Sequence, residues 1–335
     1  MELENGVYFD LAETDYHAIP RLSASGVKHL LVSPMTFWSR SWLNKDREDG
    51  DDEFREKGRA YHARVCEGRE LFSGRYAYAL PQSDFPNALD SNDSMKTRCK
   101  ELGLAVGGNK SDLIARIKEA RPETEFWFDI QARYAAQNTS KTIIPAHWLR
   151  DIEVGAAHIE KHPTIKNVFT GGKPEVTLLW THSFTATDGS DRPLAVQMKS
   201  RIDYLKPRLI ADFKTYGNPM DKPPAIAITS AVANYKYFLQ VAVYYRALDA
   251  IAALTGSEPN DRQFMFVFQG TGDDKMPRAR VMPRELAWVD LGFRKFDAAC
   301  ELYLDAMNKF GDEPWLIEED PETFADEDFP NWMGN

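Results

Sequence analysis

The alternation of apolar and polar residues from 175 to 216 predicts three consecutive β-strands. Their predicted bounds are 175–185, 194–205 and 209–214. The breaks between them contain Asp188-Gly189-Ser190 and Lys206-Pro207-Arg208, which are typical of tight turns. Short connections of this kind predict an antiparallel meander.

The last of these strands carries charged residues where packing would favour apolar ones. Because side chains alternate along a strand, Asp212 and Lys214 project to one face, whereas Ala211 and Phe213 project to the other. Asp203, on the preceding strand, is within cross-strand reach. Two carboxylates and a lysine at one place are what a Mg²⁺ site that acts on a phosphodiester needs, since carboxylate oxygens bind this cation. The alternative is a solvated hairpin with a cross-strand ion pair.

Helical spacing of apolar residues predicts most of the remaining elements. Ser23 or Ser25 can cap a helix that extends to about Val32, and Ser33-Pro34 separates it from the next helix. Further helices are predicted at 57–65, between 126 and 162, at 235–254 and at 286–310, with a strand at 263–269 and loops at 46–56 and around Pro219, Pro223 and Pro224. Within 235–254, a polar pair four residues apart shares one helix face and is either part of a site or exposed to solvent. The pair is Gln240 and Tyr244.

The sequence of residues 92–122 predicts a separate hairpin of two short helices. The second helix opens near Asn109, and glycines lie between the two helices. The stretch from Lys96 to Arg121 contains seven basic and three acidic residues, a local charge of +4. Such a face suits contact with DNA phosphates without sequence readout.

This hairpin resembles the SAP motif, a small DNA-binding helical module. The resemblance is carried by Leu102, Gly103-Leu104, Gly108, Lys110, Leu113 and Ile117. The candidate DNA-binding residues are Lys96, Arg98, Lys100, Lys110 and Arg116. An ordinary surface hairpin with solvated charges is the alternative.

The charge of the chain is −10, but it is unevenly distributed. Nine acidic residues and no basic one lie between Asp312 and Asp328, and the chain without that segment has a net charge of −1. Basic faces for DNA are therefore compatible with the negative total. Residues 312–335 are predicted to form an acidic tail, either solvated or acting as a partner-binding peptide or DNA mimic.

Length and composition predict a globular protein with a sizeable core, since 43% of the 335 residues are hydrophobic. No apolar run reaches the length of a membrane span, and the start, MELENGVYFD, lacks the features of a signal peptide. A cytoplasmic location is expected. Cys66, Cys99 and Cys300 are odd in number and far apart, which predicts reduced structural thiols rather than disulfides or a four-cysteine metal site.

Seven residues on five predicted elements occur in an order that resembles the PD-(D/E)XK nuclease superfamily. They are His62, Glu175, Asp203, Asp212, Lys214, Gln240 and Tyr244. Within that superfamily the order is similar to that of RecE-type exodeoxyribonucleases of phage recombination systems, and Tyr16-His17-Ala18 followed by Leu22-Ser23-Ala24-Ser25 also fits. The resemblance implies an α/β (α+β) fold with a restriction-endonuclease-like core, in which a central mixed sheet is flanked by helices. Residues 1–91 and 123–335 would form the nuclease domain, with 92–122 as a helical insertion.

The resemblance also implies roles for these residues. The implied metal ligands are Asp203, Asp212, the Phe213 carbonyl, Glu175 and His62. The implied catalytic residues are Lys214, Asp212, Asp203, Glu175, Gln240 and Tyr244. Lys214 would orient or activate the water, while Gln240 and Tyr244 would support the site or the DNA backbone. The implied cofactor is Mg²⁺, with Mn²⁺ as the alternative.

The activity that the resemblance implies is metal-dependent digestion of linear double-stranded DNA from the 5′ strand end, which leaves a 3′ single strand. A ring-shaped homo-oligomer and a RecT-like single-strand annealing partner are implied with it, in the cytoplasm of a bacterial or phage-infected cell. Two alternatives remain open at this stage. The first is an endonuclease or repair nuclease of the same fold, and the second is a catalytically inactive DNA-binding protein.

Overall fold

A six-stranded mixed sheet lies at the centre of the computed structural model, which describes residues 3–47, 53–258 and 260–317. The strands in chain order are β1 (Gly6–Tyr8), β2 (Tyr76–Tyr78), β3 (Thr142–Ile144), β4 (Lys173–Thr185), β5 (Pro193–Lys206), β6 (Leu209–Tyr216), β7 (Gln263–Gly270) and β8 (Pro277–Met282). The central sheet has the order β1-β4-β5-β6-β7-β8, and β2 and β3 pair separately. All neighbours in the central sheet are antiparallel except β6 and β7, which are parallel.

Helices cover both faces of this sheet. In chain order they are α1 (Glu13–Ala18), α2 (Ala24–Leu30), α3 (Pro34–Arg40), α4 (Glu53–His62), α5 (Arg69–Arg75), α6 (Asn92–Glu101), α7 (Lys110–Ala120), α8 (Trp127–Gln137), α9 (Ala146–Lys161), α10 (Pro224–Asn234), α11 (Tyr237–Thr255) and α12 (Ala287–Phe310). A π-helical turn, Ala63–Glu67, continues α4, and a short 3₁₀ turn spans Gln82–Asp84. None of the helices in the described ranges is long and apolar enough to cross a membrane. The predicted mixed sheet flanked by helices is confirmed.

Two apolar clusters lie on opposite sides of the sheet. On one side, α2, α11 and α12 pack on alternate residues of β4, β5 and β7, including Trp180 and Phe266. On the other side, α4 and α9 pack on Ala211 and Phe213 of β6. These two residues alternate along the strand with Ile210, which belongs to the first cluster. The alternation predicted for β6 is therefore present, and it leaves Asp212 on the side that α11 covers.

The predicted meander is confirmed with its two turns, and so are the cap at Ser23 and the break between helices at Ser33-Pro34, where Ser33 caps the second helix. The helices predicted between 126 and 162 are present as α8 and α9, with the short strand β3 between them. Two predictions at the element level are wrong. The loop predicted at 46–56 ends in the first turn of α4, and the proline-rich loop gives way to α10 at Pro224. Proline at the first helical position is compatible with a helix, because its missing N–H would have no intrahelical partner there. Strand β8 was not predicted, since its polar residues suit an edge strand and weaken the apolar signal.

The hairpin of α6 and α7 has a small apolar cluster of its own, formed by Met95, Cys99, Leu113, Ile117 and Phe126. Asn109 caps α7 as predicted, because its side chain accepts from Asp112 N at 3.0 Å while the Asp112 carboxylate accepts from Asn109 N at 2.9 Å. Gly108, at a φ of 108°, lies so close to Asp112 that a Cβ would be 2.6 Å from its carboxylate. This position therefore requires glycine.

The segment predicted to be an acidic tail begins with a buried anchor. Trp315 is 0% exposed, packs against Phe37 with 5.2 Å between the centroids of the tilted rings, and donates from its indole to Gly311 O at 3.0 Å. The remainder of the tail after residue 317, with Phe329 and Trp332, lies outside the described residues. At least the first residues of the predicted tail are thus part of the core that α3 and α12 form.

Replacing Trp315 by Ala is expected to lower the free energy of unfolding by about 3–5 kcal/mol, because it empties a large volume in a packed core. The neighbouring Leu316 is 65% exposed, so Leu316→Ala is the matched control and should change stability by less than about 0.5 kcal/mol. Urea unfolding of the full chain measures both. Equal losses in the two variants would contradict the anchoring role of Trp315.

Candidate functional site

The first half of the site forms where the end of α4 meets β4 and β5. His62 is the last residue of α4, and its imidazole lies between two carboxylates, with Nδ1 3.4 Å from Glu175 Oε1 and Nε2 3.2 Å from Asp203 Oδ2. The π-helical turn that follows His62 is a rare element that often occurs at functional sites. Three of the predicted metal ligands are therefore in direct contact.

The second half lies on β6 and α11. Asp212 is 0% exposed, and its carboxylate forms an ion pair with Lys214 and accepts from Gln240 Nε2 at 2.5 Å. The same Gln240 nitrogen is 3.1 Å from the hydroxyl of Tyr244, which donates to Arg201 O. The pair of α11 residues is thus buried and bonded to the predicted site, and the alternative of a solvent-facing pair is wrong. The alternative of a solvated hairpin is also wrong, since its aspartate is inaccessible to water.

A backbone contact joins the two halves. Phe213 N donates to Asp203 Oδ2 at 2.9 Å, so the strand that carries Asp212 and Lys214 also fixes the carboxylate of Asp203. The structure shows this amide contact for Phe213, while metal coordination by its carbonyl stays a prediction. All seven residues of the predicted order belong to one continuous network.

Three residues of the site were not found in the sequence. Arg201 donates to the Glu175 carboxylate and, at 3.0 Å, to Leu11 O. Cys66 forms a cluster with His62 and Asp203 in which the possible metal-ligand atoms all lie within 4.8 Å of one another. Glu67 forms a second cluster of this kind with His62 and Glu175. A signal did exist for two of them, because Arg201 precedes Asp203 by two strand positions and Cys66 follows His62 by four helical ones.

Glu175 has an unusual backbone conformation. Its φ is 52°, and only two other non-glycine residues in the described ranges have a positive φ. In the β4–β5 ladder, Pro174 pairs with Tyr204 and Val176 with Ile202, so Glu175 lies between two regular pairs. A non-glycine residue in this region costs about 1–3 kcal/mol and occurs most often at functional sites.

Burial and neighbouring charges shift the pKa values of these groups in opposite directions. Burial and the Asp203 carboxylate raise the pKa of Asp212 to about 6. Although burial opposes ionisation of Asp203, the charges of His62 and Lys214 hold its pKa below the usual value. For Lys214, burial favours the neutral amine, but the carboxylates of Asp212 and Asp203 outweigh it and raise the pKa. Lys214 is therefore an ammonium at neutral pH.

The pKa values of His62 and Cys66 are also raised. For His62, burial opposes protonation, but the ionised carboxylate of Asp203 in contact with the ring favours it, and the pKa is raised. Burial raises the pKa of the Cys66 thiol to about 12, so this sulfur is protonated at neutral pH. An imidazolium between Glu175 and Asp203 thus partly balances the negative charge in the protein without metal.

The donor set fits a hard divalent cation. Carboxylate oxygens with one imidazole suit Mg²⁺ or Mn²⁺, and Glu175 and Asp203 line a cavity of about 340 Å³. Oδ1 of Asp212 is buried and, among the described residues, receives no hydrogen bond, although the Lys214 ammonium contacts it. Arg59 and Arg75 line the same cavity, but each is already paired with a carboxylate, Arg59 with Glu56 at 2.5 Å and Arg75 with Glu67 at 2.7 Å.

The hairpin predicted to bind DNA uses some of its basic residues internally. Arg116 donates to Ala105 O at 2.6 Å and to Gly107 O at 2.7 Å, and so holds the loop between α6 and α7. Arg98 forms an ion pair with Glu101 at 2.9 Å. Lys96, Lys100 and Lys110 are exposed, and the ammonium of Lys110 lies 5.7 Å from the centre of the Phe128 ring.

Comparison with known proteins supports both parts of the chain at the level of fold. The SAP domain family matches residues 92–122. The crystal structure of a "Putative exonuclease" from Eubacterium rectale is similar with a TM-score of 0.51, at 14% sequence identity, over 90% of this chain and 87% of that chain. The structure of SSO0001 is also 14% identical and covers 62% of this chain and 84% of that chain, with a TM-score of only 0.25. Among curated proteins, none matches significantly.

Proposed function

We propose that this protein is a metal-dependent deoxyribonuclease that hydrolyses phosphodiester bonds at the site formed by Glu175, Asp203, Asp212 and Lys214. The observation that carries the proposal is the buried Asp212–Lys214 pair, joined through Phe213 N to a second carboxylate that His62 contacts. Burying these charges costs stability, and a protein retains them most readily where they perform chemistry. The SAP match at residues 92–122 supports DNA as the substrate.

Each residue has a defined task under this proposal. Asp203, Asp212, Glu175 and His62 would hold the cation, which when bound polarises the phosphate and lowers the pKa of a coordinated water. Lys214 keeps its proton because its pKa is raised, so it orients the attacking water and offsets negative charge rather than acting as a base.

Two residues of α11 hold this arrangement in place. Gln240 fixes the rotamer of Asp212 through the bond to Oδ2. Tyr244 ties Gln240 to the backbone of β5 at Arg201. These contacts position the carboxylate and the ammonium before substrate arrives.

The finer proposal is an exonuclease of RecE type that digests linear duplex DNA from the 5′ end and leaves a 3′ single strand. The order of the seven site residues supports this class, as does the likeness in fold to the protein from Eubacterium rectale. A ring-shaped homo-oligomer, a single-strand annealing partner and a role in phage recombination belong to the same proposal. The hairpin would hold the incoming duplex near the site.

The proposal is tested with a linear duplex labelled at either its 5′ or its 3′ ends and a covalently closed circle of the same sequence. With Mg²⁺, the full chain is expected to release the 5′ label first, leave the circle intact and lose all activity in EDTA. Replacing Mg²⁺ by Mn²⁺ is expected to restore cleavage, because both cations accept oxygen ligands.

Other outcomes separate the alternatives. Cleavage of the circle at a rate similar to that of the linear duplex would identify an endonuclease and contradict the exonuclease proposal. Binding of duplex DNA without cleavage under any metal condition would instead favour a DNA-binding protein whose nuclease fold is inactive.

A further inference from the structure

Two tyrosines at the start of α11 form an aromatic stack that runs from the core to the surface. Tyr237 packs against Phe266 and Phe268 of β7, with ring centroids 5.7 Å and 6.3 Å away. Tyr235 stacks on Tyr237 with 5.6 Å between centroids and 28° between planes, and it is 61% exposed. The inner ring, that of Tyr237, is therefore packed against the core, while the outer ring, that of Tyr235, is exposed to solvent.

This stack adjoins the catalytic centre proposed above. The Lys214 ammonium, which pairs with Asp212, is 5.4 Å from the centre of the Tyr237 ring. A second ammonium, that of Lys28 on α2, is 5.1 Å from the same centre. Tyr237 thus connects the exposed Tyr235 to the lysine that would face the scissile phosphate.

Lys28 adds positive charge that the sequence pattern did not reveal. Burial, together with the charge of Lys214, lowers the pKa of Lys28 to about 8, so it still carries a proton at neutral pH. Burying this ammonium beside another lysine and an aromatic ring costs free energy, because no anion among the described residues offsets its charge directly. The phosphate of a bound DNA strand would supply such an anion.

The backbone between the two helices presents the outer ring. Lys236 has a φ of 50°, one of the three positive values among described non-glycine residues, and it separates the end of α10 from the start of α11. A regular continuation of the helix would give Tyr235 and Tyr237 different faces. The left-handed residue between them instead allows the two rings to stack.

We infer that Tyr235 and Tyr237 form a stacking platform for a nucleobase next to the scissile phosphate, with Lys28 beside the backbone of the same strand. This inference rests on the proposed nuclease function of the adjacent carboxylates. Stacking of bases on aromatic side chains, combined with lysines along the backbone, is how many proteins bind unstacked or single-stranded nucleotides without sequence preference. The ligand is thus the terminal nucleotide of a DNA strand whose base has one face free.

The test uses duplexes with 2-aminopurine as the terminal base, at the 5′ end in one and at the 3′ end in another, because stacking quenches the fluorescence of this base. The full chain is titrated in EDTA, so the DNA stays intact. Wild type and Tyr235→Phe are expected to quench the probe in at least one duplex. Tyr235→Ala is expected to lose the quenching and to bind about 5- to 100-fold more weakly. Tyr78→Ala, at a tyrosine that is 43% exposed, is the matched control and should behave as wild type.

Cleavage in Mg²⁺ separates failure of the platform from failure of the proposed function. An active wild type with the same quenching and the same KM in Tyr235→Ala would overturn the platform and leave the nuclease proposal intact. Absence of quenching with the wild type at saturating protein would also overturn it. Quenching that depends on Tyr235, without cleavage by the wild type, would sustain the platform while refuting the nuclease proposal.

Discussion

Replacing Asp203 by Asn is expected to lower the rate of DNA cleavage at least about a thousandfold and to remove the stabilisation that Mg²⁺ gives the protein. The carboxylate is in contact with His62 and accepts from Phe213 N. An asparagine of the same shape can keep the bond to Phe213 N through its oxygen, but it brings no negative charge to a cation. The loss would therefore be one of metal binding and chemistry rather than of folding.

Two measurements distinguish these causes. Wild type in Mg²⁺ at about 100 times its Kd should gain about 2.7 kcal/mol in the free energy of unfolding, and Asp203→Asn should gain almost none. Asp290→Asn is the control, because Asp290 is an exposed residue of α12 that pairs with Arg294 at 3.2 Å on the surface. Cleavage at the wild-type rate by Asp203→Asn would refute the assignment of Asp203 as a metal ligand.

Local sequence rules were sufficient to predict the β6 half of the site. The alternation in β6 places Asp212 and Lys214 on one side because a strand has a period of two, and a spacing of four places Gln240 and Tyr244 on one helix face. These rules predict which face of a strand or helix a side chain lies on, but not which element packs against that face. They could not show that α11 covers Asp212, so burial and the hydrogen bond from Gln240 are information from the structure.

The contacts of His62 with Glu175 and Asp203 could not be derived from spacing. His62 is more than a hundred residues from either carboxylate in the chain, and only the packing of α4 at the edge of β4 and β5 brings them together. The resemblance to a nuclease family pointed to these residues as a set, without their geometry. Arg201 was missed for a different reason, since an arginine in a strand resembles an exposed residue until its carboxylate partner is placed beside it.

The site holds closely spaced buried charges, and ionisation of Asp212 is unfavourable among them. Three carboxylates meet one lysine, one arginine and one histidine, yet burial and the neighbouring Asp203 carboxylate still raise the pKa of Asp212 to about 6. Between pH 4 and 6 the folded state binds this proton more tightly than the unfolded state does, so the contribution of Asp212 to stability falls as the pH rises. A bound cation would reverse that unfavourable effect.

Replacing Lys96, Lys100 and Lys110 together by Gln is expected to weaken binding of duplex DNA by about 10²- to 10³-fold at low salt and to reduce the slope of log K against log [salt] by about 2.7. The three ammoniums are exposed on the hairpin of α6 and α7, and Lys96 and Lys100 are one helical turn apart. The variant keeps the apolar cluster of Met95, Leu113 and Phe126 intact, whereas deletion of residues 92–122 would expose Phe126. Fluorescence anisotropy with a labelled duplex at several salt concentrations gives both quantities.

Lys118 provides the control within the same hairpin, because its ammonium is already paired with Asp129 at 2.7 Å. Lys118→Gln should change the salt slope by less than one unit, and both variants should keep the Mg²⁺-dependent stabilisation of the wild type. If the triple variant binds duplex DNA as tightly as the wild type with the same slope, the hairpin is not the duplex-binding surface. Duplex binding would then depend on other surfaces, such as the cavity that Glu175 and Asp203 line or the stacked rings of Tyr235 and Tyr237 beside Lys28.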